Sequence, residues 1–283
     1  MTPLRQAMIK AMQMRGFSER THQSYLAAVT DLARYTRRSP DCLSAAEVNG
    51  YFEYLVIERE LAPASCRLFF NGIRFLYVEV LDWAPAALSI VLPKRPQRIP
   101  QLLNPSEVAR ILGACKNLRY RQMLTLCYGC GLRLSELLAL KVSDIDGERK
   151  WLRVDQGKGA KDRLVPVSET LLEQLRAYWR WHHPRGWLFP GRVAGRPLSP
   201  TSVQKAYTRA KRQAGVTKLG GIHGLRHAYA THLLEAGLSV HRLQQRMGHR
   251  SLASTLRYVH WVPNYRESEG QFDLIGKLEV DHD

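Results

Sequence analysis

The stretch "HGLRHAYATHLLEAG", residues 223–237, decides how the second half of this chain is read. It reads as a helix, with His223 and Arg226 three residues apart on the first turn, sharing one face. Upstream, "GCGLRLSELLAL" (129–140) places Arg133 at a helix start, just past the break marked by Gly131. Downstream, "MGHRSLASTLRYVH" (247–260) places His249 at a helix end after Gly248. Tyr258 follows nine residues on, about two and a half helical turns away by simple spacing. Each of these residues has an ordinary reading when taken alone. Arg133 fits a salt-bridge partner, His223 an N-terminal cap, His249 a buried hydrogen-bonding group and Tyr258 a core aromatic.

Composition narrows the partners. At 283 residues the chain is long enough for two domains with separate cores, and at 45% hydrophobic it should fold. A net charge of +17 and a pI of about 10.0 point to a polyanion. The charge is uneven: +4 over residues 1–99, +18 over 100–266 and −5 over 267–283. Five cysteines at irregular spacing make no disulfide framework and fit a reducing compartment. The start, "MTPLRQAMIKAMQMRGF", is amphipathic and lacks the apolar centre of a secretory signal. No window approaches the ~20 apolar residues of a membrane span. A cytoplasmic location without membrane association is expected.

The first part reads as helices. Ser18 caps one that runs toward Pro40, and Ser44 with Glu47 forms a capping-box pattern for the next. In "APASCRLFFNGIRFLYVEVLDW", Phe69, Ile73, Leu76 and Val80 form an apolar stripe. Arg67, Asn71 and Arg74 form a polar one, a candidate DNA-facing edge that fits a solvated helix face equally well. "LPKRPQRIPQLLNP" (92–105) holds four prolines and the basic residues Lys94, Arg95 and Arg98, and reads as an extended linker. Beyond it come helices and two short strands, "WLRVDQ" and "RLVPVS", joined by the glycine-marked turn "GKGAKD". Ser168 caps the helix that follows, and the remainder is helical. The expected fold is mainly α, with a small β-hairpin or sheet in a mixed α/β C-terminal domain after an N-terminal helical bundle.

Several chemistries are excluded by spacing. "CYGC" (127–130) lacks a second ligand pair for structural zinc. "GKGAK" lacks the frame of a nucleotide-binding loop, and no carboxylate cluster suggests a two-metal nuclease. No metal and no cofactor are expected. What remains is a set of basic groups and a tyrosine, and together they fit one reaction. Two arginine forks match the non-bridging oxygens of a phosphodiester and stabilise its pentavalent transition state. Nearby cations favour a tyrosine phenolate as nucleophile. A histidine can take the phenol proton or hold the phosphate, and a lysine on the hairpin turn can protonate the leaving 5′ oxygen.

The chain resembles the tyrosine recombinase (phage integrase) family, most of all its compact two-domain Xer-type members. The likeness spans nearly the whole chain, faintly in 1–90 and strongly in 104–260. It rests on "GLRLSELLALKVSDID", "GKGAKDRLVPV", "HGLRHAYATHLLEAG" and "MGHRSLASTLRYVH". The resemblance implies a catalytic set of Arg133, Lys158, His223, Arg226, His249 and the nucleophile Tyr258, with Glu136 and His227 in support. It implies a SAM-like core-binding domain (1–91), a basic linker (92–103), a DNA breaking-rejoining catalytic domain (104–266) and an acidic tail (267–283). Lys161 and Arg163 beside the hairpin join Arg67, Asn71, Arg74, Lys94, Arg95 and Arg98 as candidate DNA-binding residues.

The implied activity is site-specific DNA recombination. Tyr258 attacks the phosphate, forms a 3′-phosphotyrosyl bond and frees a 5′ hydroxyl. Strands exchange through a Holliday junction, for a mobile element or for Xer-like resolution. The implied assembly is a homotetramer on two synapsed duplexes, or a tetramer shared with a related recombinase. The interval between the H-x-L-R-H and G-H motifs leaves no room for the insert of integron integrases, and the first helix leaves none for a separate arm-binding domain. A type IB topoisomerase and a DNA-binding protein without catalysis are the rivals. The acidic tail suits docking on a neighbouring protomer or folding back on its own basic surface.

Overall fold

Capping chemistry starts the helices of the first half. The computed structural model describes residues 2–88, 90–93, 100–155, 162–191, 193, 195–262, 265, 266, 274, 276 and 278. Helix α1 (Pro3–Met14) and helix α4 (Pro63–Glu79) open on prolines, whose missing N–H costs nothing there. The Ser18 side chain accepts from the Thr21 N–H and opens α2 (Glu19–Thr36). Ser44 and Glu47 form a reciprocal box at the start of α3 (Ala45–Glu53). Helix α2 stops before Pro40, because Arg37 turns left-handed at φ 53°, and Pro40 instead opens a 3-10 turn.

By Cα packing the chain divides into two units, residues 1–98 and 99–283. In the first unit α2 packs along α4. Ile73 and Leu76 of the apolar stripe are fully buried beside Leu32, Val48 and Tyr51. On the opposite stripe Arg67 and Asn71 are exposed and Arg74 is half-buried. The linker residues Lys94, Arg95 and Arg98 lie outside the described residues.

The second unit surrounds two helices that are covered on nearly every side. These are α6 (Leu118–Gly129) and α10 (His223–Glu235). A helix apolar around most of its circumference belongs in a core, and α10 buries Leu225, Ala228, Tyr229, Leu233 and Leu234. Around them lie α5 (Pro105–Ala114), α7 (Leu134–Leu138), α8 (Glu169–His182) and α9 (Pro200–Gln213), then α11 (Val240–Met247) and α12 (Leu252–Val259).

A three-stranded antiparallel sheet, β1 (Ile145–Asp146), β2 (Trp151–Val154) and β3 (Arg163–Pro166), completes the unit. Its register sets Leu152 opposite Val165 and Val154 opposite Arg163. Leu152, Val154 and Val165 point into the core, while Trp151 and Leu164 face out. The fold is the mainly helical one expected, with one strand more than the hairpin. Each expected strand ends two residues early, at Val154 and Pro166. The glycine turn, with Lys158 and Lys161, lies outside the described residues.

Candidate active site

Glu136 organises the polar centre of the second unit. It sits on the single-turn helix α7, immediately after the Gly131 break, and is buried. Its carboxylate accepts from the Arg133 backbone N–H at 2.8 Å and from the Arg133 guanidinium at 2.5 Å. Arg163 grips it with two bonds, at 2.9 and 2.8 Å, and Arg226 approaches to 3.7 Å. Burial alone would push the Glu136 carboxyl up. The Arg163 fork and the other cations pull it down to about 2.

Arg163 therefore does not face DNA, contrary to the expectation from its place beside the hairpin. It is 8% exposed, and its Nε donates to the Arg246 carbonyl at 2.8 Å. It braces Glu136 from beneath. The signal was present in the strand alternation, since Arg163 lies on the same inward face as Val165.

Arg226 is 1% exposed and held by backbone carbonyls. One guanidinium nitrogen donates to the Gly131 carbonyl; the other donates to the Met247 carbonyl at 2.6 Å and reaches His249 Nε2 at 3.3 Å. Burial and then Arg133 lower its pKa to about 10, so it remains a cation at neutral pH. Gly131 is essential to this arrangement. Its φ is +59°, and a Cβ there would lie 2.3 Å from the Tyr229 ring.

The spacing between His249 and Tyr258 does not run along one helix. Gly248 turns left-handed at φ 62° and ends α11, and a separate α12 carries Tyr258. The break brings the two rings together, nearly parallel (8°), with centroids 6.1 Å apart. His249 Nε2 accepts from Arg226, so its proton sits on Nδ1 and is donated to Thr255 Oγ1 at 2.9 Å. Burial, followed by Arg226 and Arg133, lowers the His249 pKa to about 4.

Tyr258 is 5% exposed, and its hydroxyl oxygen lies 3.0 Å from Nδ1 of His227, within hydrogen-bond distance. Sequence spacing gives no hint of this contact. Burial raises the Tyr258 pKa, outweighing the pull of Arg226, Arg257 and Arg133. The neighbouring cations do pull toward the phenolate, as expected, but withdrawal of the hydroxyl from water outweighs them. His223 is exposed at the start of α10, and its ring meets that of His227 at 4.8 Å. Desolvation, then Arg226 and Arg133, lowers its pKa.

Arg133, Glu136, His223, Arg226, His227, His249 and Tyr258 thus form one connected set. It sets the half-buried guanidinium of Arg133 and the buried one of Arg226 beside a buried phenol. Cys127 and Cys130 of the "CYGC" stretch are core residues whose thiols burial pushes up to about 12. The sequence reading missed a second basic surface: Lys205, Arg209 and Arg212 lie exposed on α9. Their i, i+4, i+7 spacing was the available signal.

Residues 101–264 match the model of the phage integrase family, and residues 4–84 match its N-terminal SAM-like domain. The chain belongs to the phage integrase family. It is a tyrosine-type site-specific DNA recombinase, of the kind that cleaves and rejoins DNA through a 3′-phosphotyrosyl link. The integrase/recombinase-type protein y4qK of Sinorhizobium fredii is 45% identical over 93% of this chain and 86% of its own. Tyrosine recombinase XerC of Myxococcus xanthus is 34% identical over 87% and 88%. Among solved structures, XerA recombinase superposes with a TM-score of 0.52 at 26% identity, covering 91% of this chain and 92% of its own. A lambda integrase fragment bound to a core site gives a TM-score of 0.73 at 21% identity, covering 93% and 95%, a likeness of fold.

Proposed function

We propose that Tyr258 is the nucleophile of this recombinase and that Arg133 and Arg226 hold the non-bridging oxygens of the scissile phosphate. One observation carries the reading: Arg226 reaches His249, and the ring of His249 stacks on that of Tyr258. A phosphate seated against the guanidinium groups would lie beside the phenol. His249, donating to Thr255 and accepting from Arg226, keeps the arginine aimed. His223 lies at the exposed lip and donates to the phosphate. Lys158 protonates the departing 5′ oxygen, and Glu136 fixes Arg133. No metal or cofactor enters the scheme, because the phosphotyrosyl bond conserves the energy of the broken one.

The partner is double-stranded DNA. The core-binding domain (1–91) contacts it through Arg67, Asn71 and Arg74, and the linker (92–103) through Lys94, Arg95 and Arg98. The catalytic domain (104–266) adds Lys161 and the α9 residues Lys205, Arg209 and Arg212. Four copies, or copies paired with a related recombinase, hold two duplexes and exchange strands through a Holliday junction. The element served is a mobile one or a Xer-like resolution site. Leu274 and Leu278 of the acidic tail (267–283) pack on the core of their own unit, which supports the tail folding back on its own chain rather than docking on a neighbouring protomer. The reaction takes place in the cytoplasm.

The test starts from duplexes selected by the protein from a random-sequence pool. A nicked version of a selected duplex traps the covalent product, read on a denaturing gel. Wild type forms the adduct, and Tyr258→Phe forms none while binding the duplex equally well. An adduct from Tyr258→Phe, or none from wild type on any selected duplex, overturns the assignment.

A further inference from the structure

The Tyr258 hydroxyl is buried and its pKa is raised, so it meets the phosphate still protonated. Its proton has to leave as the oxygen attacks. Three imidazoles lie close by, and their hydrogen bonds separate them. His249 is engaged at both nitrogens, by Arg226 and by Thr255. His223 meets the ring of His227, and among the described residues no hydrogen bond joins it to Tyr258. His227 Nδ1 lies 3.0 Å from Tyr258 Oη. In the neutral tautomer with its proton on Nε2, His227 turns the Nδ1 lone pair toward the reacting oxygen and accepts from the phenol.

We propose that His227 is the proton acceptor for Tyr258 in the cleavage step, a role that rests on Tyr258 being the nucleophile. As the Tyr258 Oη–phosphorus bond forms, the O–H bond breaks and its proton moves to His227 Nδ1. The bond from phosphorus to the 5′ oxygen breaks, and that oxygen takes a proton from Lys158. Religation reverses both transfers: the attacking 5′ hydroxyl returns its proton to Lys158, and the departing phenolate recovers the one on His227. Across cleavage and religation no proton is gained or lost.

The surroundings of His227 suit a base that works only with substrate present. His223 and Arg226 on its own helix and Arg257 on α12 oppose its positive form, and Tyr258 and Trp261 close over the ring. With burial as the largest cause, they hold its pKa to about 4. A phosphate between the arginines supplies the negative charge that offsets them. Without DNA the imidazole stays neutral and Tyr258 stays a phenol.

The experiment measures single-turnover adduct formation on the nicked selected duplex with full-length protein. His227→Ala should slow cleavage about 100-fold, the usual worth of a positioned base, with duplex binding within twofold. Added imidazole should restore the rate, and the restored rate should rise with pH as imidazole loses its proton. His227→Asn presents an amide acceptor near the Nδ1 position but takes up no proton, and should be as slow as the alanine variant. It guards against a folding defect, since it keeps a hydrogen bond to Oη. A rate for His227→Asn within threefold of wild type overturns the proposal. So does a slow His227→Ala that imidazole leaves slow at every pH. Failure of the nucleophile assignment itself is read separately, as an adduct from Tyr258→Phe or none from wild type.

Discussion

Glu136 and Arg163 form a two-pronged ion pair inside the second unit, at 2.9 and 2.8 Å, with each side chain 6% exposed. Both side chains are buried: removing Glu136 leaves Arg163 and Arg226 without their carboxylate, and removing Arg163 takes the two-pronged partner from Glu136 and leaves it to Arg133 and Arg226. Arg163→Met and Glu136→Gln should each cost about 3 kcal/mol, the lower end for breaking a buried pair. The double variant should cost less than the two together, by at least about 1 kcal/mol. Urea denaturation of the four proteins measures this. Additive losses would mean that the pair is not coupled.

Gly131→Ala should impair activity beyond its effect on stability. A left-handed alanine costs roughly 1–2 kcal/mol, and its Cβ would strike the Tyr229 ring. The shift it forces moves the carbonyl that holds Arg226. Adduct formation should fall at least tenfold under conditions where thermal melting shows the variant fully folded. An unchanged rate in a folded variant would show that this carbonyl does not set the arginine's position.

Stability should fall with acid in two stages. His227 and His249 titrate near 4 in the folded chain against an ordinary 6.5, and His232 is also lowered, by burial. Between these values the unfolded chain binds more protons, so stability is complete above about pH 6.5 and declines as pH drops toward 4. Glu136, depressed to about 2, adds its loss only below the ordinary carboxylate range. Melting temperatures should be level from pH 8 to 7 and descend from 6.5 to 4. A level profile to pH 5 would contradict neutral buried imidazoles.

DNA affinity should decline steeply with salt, since each neutralised phosphate releases counterions. Arg67 and Arg74 stand on one face of α4. Replacing both with alanine should reduce the slope of log K against log salt by about 2, near 0.9 per contact. Fluorescence anisotropy with a labelled duplex between 50 and 300 mM KCl, about the range where such slopes are read, checks it. An unchanged slope would remove α4 from the DNA surface.

That Arg133, His223, Arg226, His249 and Tyr258 belong together was legible in the sequence, because the family motifs that carry them are readable and the structure brings the five into one cluster. Their connections were not legible. The nine-residue step from His249 to Tyr258 reads as distance along a helix, whereas the left-handed Gly248 folds it into a stack. Arg163 was misread because a basic residue beside a hairpin invites an outward reading, although Val165 two places on shows which face is buried. Strand β1 escaped because two residues carry no periodicity. The hold of His227 on Tyr258 depends on how α10 and α12 pack, which no local pattern encodes.

The carbonyls that hold Arg226 lie 95 residues before it and 21 residues after it. During synthesis, the later one, on Met247, is the last to leave the ribosome. Until then the guanidinium lacks one of its anchors, and Tyr258 does not yet exist outside the exit tunnel. A chain that stalls or is clipped before α11 carries Arg133 and Arg226 but neither the Met247 carbonyl that anchors Arg226 nor His249 and Tyr258 beside it.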